Sequence, residues 1–469
     1  MDPLEVLRRP DKWYLGGGRA LIWAPPFPSF LDWPGFWDEA HYFDHVVERP
    51  FTVALLDENG RELALRPLSR DWRPSELTTA WMAGDLLVSE RKCVLPRDVL
   101  VSELSIWNPT NRPVTVQLVV YTLQRSAASR GDHVVSEVAF EGGTFHYTKR
   151  QVATRMGREL PVFISRLALG ADRAPESSGA HLAEAGSLRP EWRLTPFYER
   201  MAEGQLGSEL RLGGWNTDGV VYMGLHYALE VGPESRERFV VGCGVDNELG
   251  QLLLNPVELS QEAWRDHFAQ APELEVEDAH LQRYWWYRWY GLRLNTISHP
   301  GGLAQQPFVA EGIAQFRNLI SYSAQAHVLE CRWLSSSQLA AGSILNFADH
   351  QSVNGCFPAN IYAQTVNAEG MYHANWGRAV RELYAVHPDD ELMARLYPSL
   401  ARYAEFLDEE RDAEGCHMYD VLDQGETGQE YMSRYQAVDP RADQWGPIHL
   451  KGIDATVYAY ELQRCLGWL

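Results

Sequence analysis

The sequence lacks the spaced cysteine and histidine patterns that build metal centres. It has no HxH or HExxH spacing, and no GxSxG or Cys/His signature of an acyl-transfer enzyme. We therefore expect no metal, no cofactor and no disulfide chemistry. The cysteines are scattered without a CxxC pair and are expected to be free buried thiols: Cys93, Cys243, Cys331, Cys356, Cys416 and Cys465.

Basic residues and long apolar runs are also scarce. Lys and Arg number 42 against 63 Asp and Glu, which gives a net charge of -21 and argues against nucleic-acid or anionic-membrane partners. The first ten residues lack an apolar core of signal-peptide length, and no apolar run approaches ~20 residues. These absences predict a cytoplasmic protein that does not bind membranes and that handles neutral ligands.

Tryptophan, by contrast, is abundant, with 17 residues in a chain of 469. Flat indole faces suit sugar rings, but large aromatic cores also use Trp, so the count alone decides nothing. The length predicts two domains.

Residues 1–258 have the pattern of an antiparallel β-sandwich. Alternating or β-branched runs such as Phe51–Leu56 and Val114–Thr122 are separated by turn signals. The segment 106–116 predicts a strand, a turn and a strand, as in a hairpin. Near the start, Gly16–Gly18 precedes a loop rich in Trp and acidic residues, which either walls a sugar pocket or fills a domain interface.

The apolar spacing becomes helical after this region. We predict a linker helix within 259–274 and a helical domain over 275–469. The segment 281–295 is apolar or aromatic on nearly all sides and therefore predicts a fully buried helix. Consecutive helices without strands indicate stacked helical hairpins: 321–334, 336–350, 376–386, 391–408 and 454–466.

One acidic stretch, Asp423-Gln-Gly-Glu-Thr-Gly-Gln-Glu-Tyr-Met-Ser-Arg-Tyr435, concentrates chemistry near the C-terminus. Its glycines predict a loop, and paired carboxylates such as Glu426 and Glu430 are the usual equipment for breaking a glycosidic bond. A solvated acidic turn is the plainer interpretation.

The segment Glu426–Tyr435 resembles the Glu-Ser-Gly-Trp-Asp-Phe-Ser-Ser-Arg-Trp motif of trehalases, and also the Glu-Ser-Gly-x-Asp loop of glycoside hydrolase family 63. Residues 450–455 resemble the Val-Asp-Leu-Asn segment that opens the next barrel helix in those enzymes. The resemblance implies an (α/α)6 toroid with Glu430, in the place of the family's Asp, as general acid, and Glu426 as a neighbouring catalytic carboxylate. It places the general base beyond Leu469, so we expect only the first part of the toroid here.

Two further segments predict sugar contacts. The first segment follows the first inner helix, where the related enzymes contact the sugar, and it contains Glu311, Arg317 and Asn318. Glu311 rivals Glu430 for a catalytic role. The alternative for Arg317 is a structural ion pair with Glu311 or Glu330. In the second segment, His373 and Trp376 either contact the sugar or belong to the core. The other candidate sugar contacts are Arg434, Trp445 and Lys451.

Together these features predict an inverting glycoside hydrolase for α-linked oligosaccharides or disaccharides. A glycoside phosphorylase of similar architecture and a non-catalytic carbohydrate-binding protein are the alternatives.

Overall fold

The computed structural model describes residues 2–127, 133–151, 154–155, 158–159, 162–184, 211–212, 218–245, 249–298, 302–440, 446–448 and 450–469. The chain divides into two compact units. The first contains Met1–Phe268 and Leu274–Leu294, and the second contains Ala269–Glu273 and Asn295–Leu469. The domain limits expected from sequence, 1–258, 259–274 and 275–469, stay a prediction.

The first unit is built on two large antiparallel sheets. One has five strands in the order β16-β18-β10-β5-β2, and the other has nine in the order β17-β11-β12-β15-β19-β9-β8-β7-β6. The strands are β1 Leu21–Ile22, β2 Gly35–Phe36, β3 Ala40–Tyr42, β4 His45–Val47, β5 Phe51–Leu56, β6 Leu65–Trp72, β7 Leu77–Ala83, β8 Leu86–Leu95, β9 Val99–Asn108, β10 Val114–Ala127, β11 His133–Glu141, β12 Thr144–Gln151, β13 Thr154–Arg155, β14 Arg158–Glu159, β15 Phe163–Ala171, β16 Ser177–Glu184, β17 Arg211–Leu212, β18 Asp218–Val231 and β19 Ser235–Val245.

The sequence pattern of these strands matches their burial. In β7, buried and partly exposed residues alternate from Leu77 to Ala83, as expected when one face of a strand is covered. Strand β5 is buried at every position, which agrees with its largely apolar sequence. Trp23 and Trp37, from the aromatic loop after Gly16–Gly18, are buried in the core of this unit.

The predicted hairpin at 106–116 is wrong. Strand β9 pairs with β8 and β19, whereas β10 pairs with β5 and β18, so the turn carries the chain from one sheet to the other. The side-chain amide of Asn108 stabilises this crossing, because it donates to the carbonyl oxygens of Arg112 and Val231 at 2.7 and 3.0 Å. Sequence alternation alone does not distinguish a hairpin from such a crossing.

The first unit also contains helices α1 Pro3–Leu7, α2 Pro256–Phe268 and α3 Ala279–Asn295, the last of them up to Leu294. Helix α3 is the segment predicted to be buried on all sides, and that prediction is wrong. Trp286, Trp289 and Tyr290 are buried, but Leu281 and Tyr284 are more than half exposed. The buried face packs on aromatic rings of its own unit: Tyr290 meets Trp72 edge-on and stacks on Trp264.

The second unit is mainly helical, with short two-residue strands at its loops. Its helices are α4 Ser321–Cys331, α5 Gln338–Asp349, α6 Trp376–Val386, α7 Asp390–Glu410, α8 Ser433–Val438 and α9 Ile453–Trp468. Its strands are β20 Thr296–Ile297, β21 Phe308–Val309, β22 Leu319–Ile320, β23 Asn360–Ile361, β24 Val366–Asn367, β25 Asp420–Val421 and β26 Leu450–Lys451.

Local sequence signals determine where these helices begin and how closely they pack. The helix α7 begins after Asp389, whose carboxylate accepts from the Leu392 amide at 2.9 Å, as the capping signal predicts. Helices α6 and α9 pack closely because Gly377 has no side chain: a Cβ there would lie 2.3 Å from the carbonyl oxygen of Glu461. The five predicted helices are confirmed to within a few residues at their ends.

The N-terminal sheets and the C-terminal helices confirm a β-plus-α protein. Among the described helices, none has both the length and the apolar character that crossing a bilayer requires.

Candidate functional site

The acidic stretch of the second unit is a loop held by a two-stranded stem. Strands β25 and β26 pair antiparallel, with Asp420 opposite Lys451. The Lys451 ammonium lies 3.0 Å from the Asp420 carboxylate and 3.6 Å from that of Glu414. Lys451, predicted as a substrate contact, therefore closes the base of the loop.

The turn at the start of the loop is built by its own side chains. Residues Gly425–Thr427 form one turn of 3-10 helix, and the Asp423 carboxylate accepts from the Glu426 amide at 3.0 Å. Gly428 follows with a φ of 61°, and a Cβ there would meet the Tyr322 ring at 2.7 Å. The backbone thus needs glycine at Gly428 for both conformation and space, which explains the Gly-rich pattern.

Both carboxylate oxygens of Glu426 are already occupied within the protein. Arg411 donates to Oε1 at 2.6 Å, and the Leu422 amide donates to Oε2 at 3.0 Å. His373 Nε2 lies 3.5 Å from Oε2, and its amide donates to the Glu426 carbonyl oxygen at 2.8 Å. Burial alone would raise the pKa of Glu426, but His373, Arg411 and the Leu422 amide together lower it. Glu426 is an anchored carboxylate at the root of the loop.

Glu430 lies further along the loop, and its backbone surroundings are constrained. The next residue, Tyr431, has a φ of 62°, and its amide donates to Oε1 of the buried Gln424 at 2.6 Å. A left-handed conformation at a tyrosine is uncommon and costs energy, which the Gln424 contact offsets. Gln424 therefore fixes the direction in which the chain leaves Glu430.

Glu311 comes from a separate loop and lies within electrostatic reach of Glu430. Burial raises the pKa of Glu311, the hydrogen bond from Ser323 lowers it, and the charge of Glu430 raises it, so that the net shift is upward. Burial, then the charges of Glu430 and Glu311, raise the pKa of Tyr372 to about 12. The Tyr322 ring packs at Gly428 and its centroid lies 6.1 Å from that of Tyr372, while the next residue, Ser323, bonds Glu311. We call the electrostatically coupled groups Glu311, Glu430 and Tyr372 the carboxylate cluster.

Asp423 is coupled electrostatically to Tyr372 of this cluster. Its pKa is raised mainly by burial, with the Glu426 charge adding to the rise and the Glu426 amide opposing it. Its charge also contributes to the raised pKa of Tyr372. Several carboxyl groups with displaced pKa values in one place are typical of active sites.

The backbone of Asn318 holds the Glu311 loop, and its side chain belongs to a chain of asparagine hydrogen bonds. The Glu311 amide donates to the Asn318 carbonyl oxygen at 3.1 Å. The Asn318 amide group donates to the Gln315 carbonyl oxygen at 3.0 Å and accepts from Asn360 at 3.3 Å, and Asn360 accepts from Asn367 at 3.2 Å. The buried Asn318 side chain, predicted as a sugar contact, thus bonds within the protein. The neighbouring Arg317 side chain is fully buried as well.

The predicted contacts His373 and Trp376 lie in the interior of the second unit. His373 is buried against the Glu426 loop and also lies 3.2 Å from the Asp420 carbonyl oxygen. Trp376 is fully buried, with its ring near those of Phe347 and Phe357. Its indole has no exposed face on which a sugar ring could stack, which agrees with the core interpretation.

Arg434 is half exposed and lies beside the loop. Its Nη2 donates to Gln429 Oε1 at 2.7 Å and to the Tyr435 hydroxyl at 2.6 Å, and it lies 3.5 Å from the Asp454 carboxylate. Three neighbours therefore hold the guanidinium within the motif, four residues after Glu430 in sequence. The last predicted contact, Trp445, lies outside the described residues.

Sequence reasoning gave no role to three residues that build the site. Tyr372 precedes His373 and lies within a segment already marked as polar and aromatic, so it could have been found there. Arg411 and Ser323 could not, because each is distant in sequence from the carboxylate it bonds.

Comparisons with known proteins support a glycosidase-like domain. Residues 317–461 match the model of the mannosylglycerate hydrolase MGH1-like glycoside hydrolase domain. A search of curated proteins gave no significant match.

The fold resembles solved structures at low sequence identity. A protein from human microbiome assigned as a kojibiose phosphorylase is 11% identical with a TM-score of 0.50, over 85% of this chain and 60% of that one. A family GH92 α-mannosidase from Bacteroides thetaiotaomicron is 11% identical with a TM-score of 0.44, over 86% and 57%. A GH92 family glycosyl hydrolase is 11% identical with a TM-score of 0.43, over 96% and 57%. This chain thus spans 60% or less of the length of these proteins.

The match of residues 317–461 includes the motif loop and Glu430, but begins after Glu311. The chain therefore carries a glycoside hydrolase-like domain.

Proposed function

We propose that this protein hydrolyses α-linked oligosaccharides or disaccharides, with Glu430 as the general acid. The observation that carries the proposal is the carboxylate cluster: Glu430 and Glu311 come from separate loops and are coupled electrostatically to each other and to Tyr372, and Glu430 lies in the part of the chain that matches a glycoside hydrolase domain. Two carboxyl groups facing one site are what cleavage of a glycosidic bond requires.

Glu426 is poorly suited to the acid role. The oxygens of Glu426 bind Arg411, the Leu422 amide and His373, so protonating a leaving group would break these contacts. Glu430 occupies the general-acid place in the motif that resembles those of trehalases and family 63. On the same resemblance we propose an inverting mechanism and an (α/α)6 arrangement of the helices.

The surroundings of Glu430 suit a neutral, hydroxyl-rich substrate. With a pKa of about 12, the Tyr372 phenol is protonated at neutral pH and can donate a hydrogen bond to a sugar hydroxyl. Arg434, held by Gln429, offers further N–H donors within the same motif. The net charge of -21 disfavours anionic substrates.

The test is turnover of a panel of α-linked sugars, including trehalose, kojibiose, nigerose and α-1,2-mannobiose, followed by NMR. We expect the wild-type protein to release the inverted anomer from at least one of them. Glu430→Gln should reduce this turnover by about 10²-fold to 10⁴-fold without changing the circular dichroism spectrum. Glu405→Gln, an exposed change on helix α7, is the matched control and should leave turnover unchanged.

Two outcomes would contradict the proposal. Release of a sugar phosphate only when inorganic phosphate is added would make the protein a phosphorylase. Saturable sugar binding without turnover of any panel member would make it a binding protein.

A further inference from the structure

The first unit contains a cavity that the proposed function does not use. Its volume is about 620 Å³, and it is lined by residues 32–34, by residues 52–55 of strand β5, by residues 62–65 and by Tyr121. Small-molecule sites typically measure about 300–1,000 Å³. All these residues belong to the first unit, and none of them belongs to the carboxylate cluster.

Aromatic rings form one wall of this cavity. Trp33 and Tyr121 line it, and both pack on Trp37: Trp33 is stacked at 6.1 Å between ring centroids, and Tyr121 meets Trp37 edge-on at 5.4 Å. Trp37 is buried, whereas Trp33 is only partly buried. The Trp33 ring is thus held by a neighbouring ring and keeps accessible surface, as a platform for a ligand requires.

Fully buried charges hold the loop that carries Trp33. Lys92 Nζ donates to the Trp33 carbonyl oxygen at 2.7 Å, and the Glu90 carboxylate accepts from the Gly35 amide at 2.6 Å. The two charged groups lie 3.7 Å apart, and neither side chain is exposed. Burying such a pair is unfavourable by itself, and here its contacts fix residues 33–35. A loop that is fixed in advance loses little conformational entropy when a ligand binds.

Acidic groups add hydrogen-bond acceptors to the cavity. Asp32 forms an ion pair with Arg70, yet its side chain is 49% exposed, and its carbonyl oxygen accepts from the Trp81 indole at 3.0 Å. Glu62 also lines the cavity and is exposed. Carboxylate oxygens accept hydrogen bonds from sugar hydroxyls, while their negative charge disfavours anionic ligands.

The edge of strand β5 opens at this cavity. The Val53 amide donates to the Pro34 carbonyl oxygen at 3.4 Å, but a proline has no amide hydrogen with which to return the bond. Strand β2 pairs with β5 only up to Thr52, and the Leu63 amide donates to the Leu55 carbonyl oxygen at 2.8 Å. The opening is therefore too short for an added peptide strand, which needs a row of free backbone groups.

We propose that this cavity is a binding site for a neutral mono- or disaccharide, with Trp33 as its stacking platform. An apolar sugar face can pack on the Trp33 ring while the hydroxyls donate to Asp32 and Glu62. The site goes beyond the proposed function, because it uses no residue of the carboxylate cluster and no chemistry of Glu430.

The first experiment locates bound sugar by hydrogen–deuterium exchange and mass spectrometry. The full chain with Glu430→Gln, which should not consume the ligand, is mixed in turn with trehalose, kojibiose, nigerose and α-1,2-mannobiose in the upper millimolar range. We expect at least one of these sugars to slow exchange in peptides that cover residues 52–65.

A blocked cavity provides the comparison. Ala64 lines the cavity and is exposed, so Ala64→Trp should fill the cavity without disturbing the core. This change should abolish the slowed exchange at residues 52–65 and leave any slowed exchange at residues 423–435 intact. Ala174→Trp is the matched control, since Ala174 is exposed in the same unit and does not line the cavity.

The second experiment measures the contribution of Trp33 by isothermal titration calorimetry. Trp33→Ala should weaken binding of the same sugar by about tenfold, and Trp33→Phe, which keeps a flat ring, should restore most of the affinity. Circular dichroism and the melting temperature check that each variant is folded. If Trp33→Ala does not fold, the Ala64→Trp variant decides the question.

Three outcomes would overturn the inference. None of the four sugars slows exchange at residues 52–65, or the slowed exchange survives Ala64→Trp, or choline slows it where no sugar does, which would make the cavity a site for an organic cation. Turnover by the wild-type protein is measured separately and decides only the proposed function.

Discussion

Arg411 Nη2 donates a 2.6 Å hydrogen bond to Glu426 Oε1, which ties the C-terminal end of helix α7 to the root of the motif loop. Both side chains are largely buried, and the partner oxygen of Glu426 is held by the Leu422 amide. The first acid of the motif therefore fixes the shape of the loop that presents the second, Glu430.

Breaking this pair should destabilise the protein strongly. Arg411→Met leaves a buried carboxylate without its main partner, which typically costs about 3–5 kcal/mol. Urea denaturation, monitored by tryptophan fluorescence, measures the loss. Arg395→Met is the control because its ion pair with Asp349 is exposed and should be worth less than about 1 kcal/mol. Equal losses in the two variants would show that the Arg411 pair has no special role.

Gly428→Ala should cost more than its backbone conformation explains. A positive φ at alanine costs roughly 1–2 kcal/mol, and at Gly428 the added Cβ would also meet the Tyr322 ring at 2.7 Å. Gly415→Ala provides the comparison, since Gly415 has a φ of 65° with open space around its Cβ position. We expect Gly428→Ala to have the lower melting temperature and reduced turnover, and Gly415→Ala to keep its activity. Equal melting temperatures would contradict the close contact with Tyr322.

Glu311→Gln should stabilise the protein at alkaline pH. The folded-state pKa of Glu311 is raised, so its contribution to stability is fully present below the unfolded pKa of about 4.3 and is lost as the pH rises through the folded pKa. Removing the charge should therefore raise the melting temperature at pH 8 and leave it unchanged at pH 4. A lower melting temperature at pH 8 would show that the charge of Glu311 does not destabilise the folded state.

Glu426→Gln should behave in the opposite way. The folded-state pKa of Glu426 is lowered, so its ionised form stabilises the fold above the unfolded pKa, and this contribution is lost as the pH falls through the folded pKa. We expect the variant to melt at a lower temperature than wild type at pH 7, with the difference shrinking at acidic pH. A difference that does not depend on pH would mean that packing, not charge, holds Glu426.

Sequence patterns were sufficient to predict the structure where local interactions determine it. The strand Phe51–Leu56, the Asp389 cap and the turn at Gly425–Gly428 follow from burial pattern, capping and left-handed glycine. Sequence patterns were insufficient where a contact with a residue distant in sequence determines the structure. The crossing at Asn108 depends on a bond to Val231, and the burial of Trp376 depends on Phe347 and Phe357.

The candidate site shows the same limit. The motif indicated Glu430 and Glu426 because both residues lie within one short stretch of sequence. Nothing local to Glu426 indicated that Arg411 and His373 occupy it, and nothing near Glu311 pointed to Ser323. Whether a carboxylate is anchored within the protein is a property of contacts between segments.

The measurement that tests the central claim most directly compares two leaving groups in Glu430→Gln. A general acid is needed when the leaving alcohol is basic and is dispensable when it is acidic. We predict that Glu430→Gln loses about 10²-fold to 10⁴-fold in kcat/KM on the α-linked disaccharide that wild type cleaves best. On the matching 2,4-dinitrophenyl α-glycoside it should stay within about tenfold of wild type, since activated leaving groups need little protonation. Equal losses on both substrates would contradict Glu430 as the proton donor.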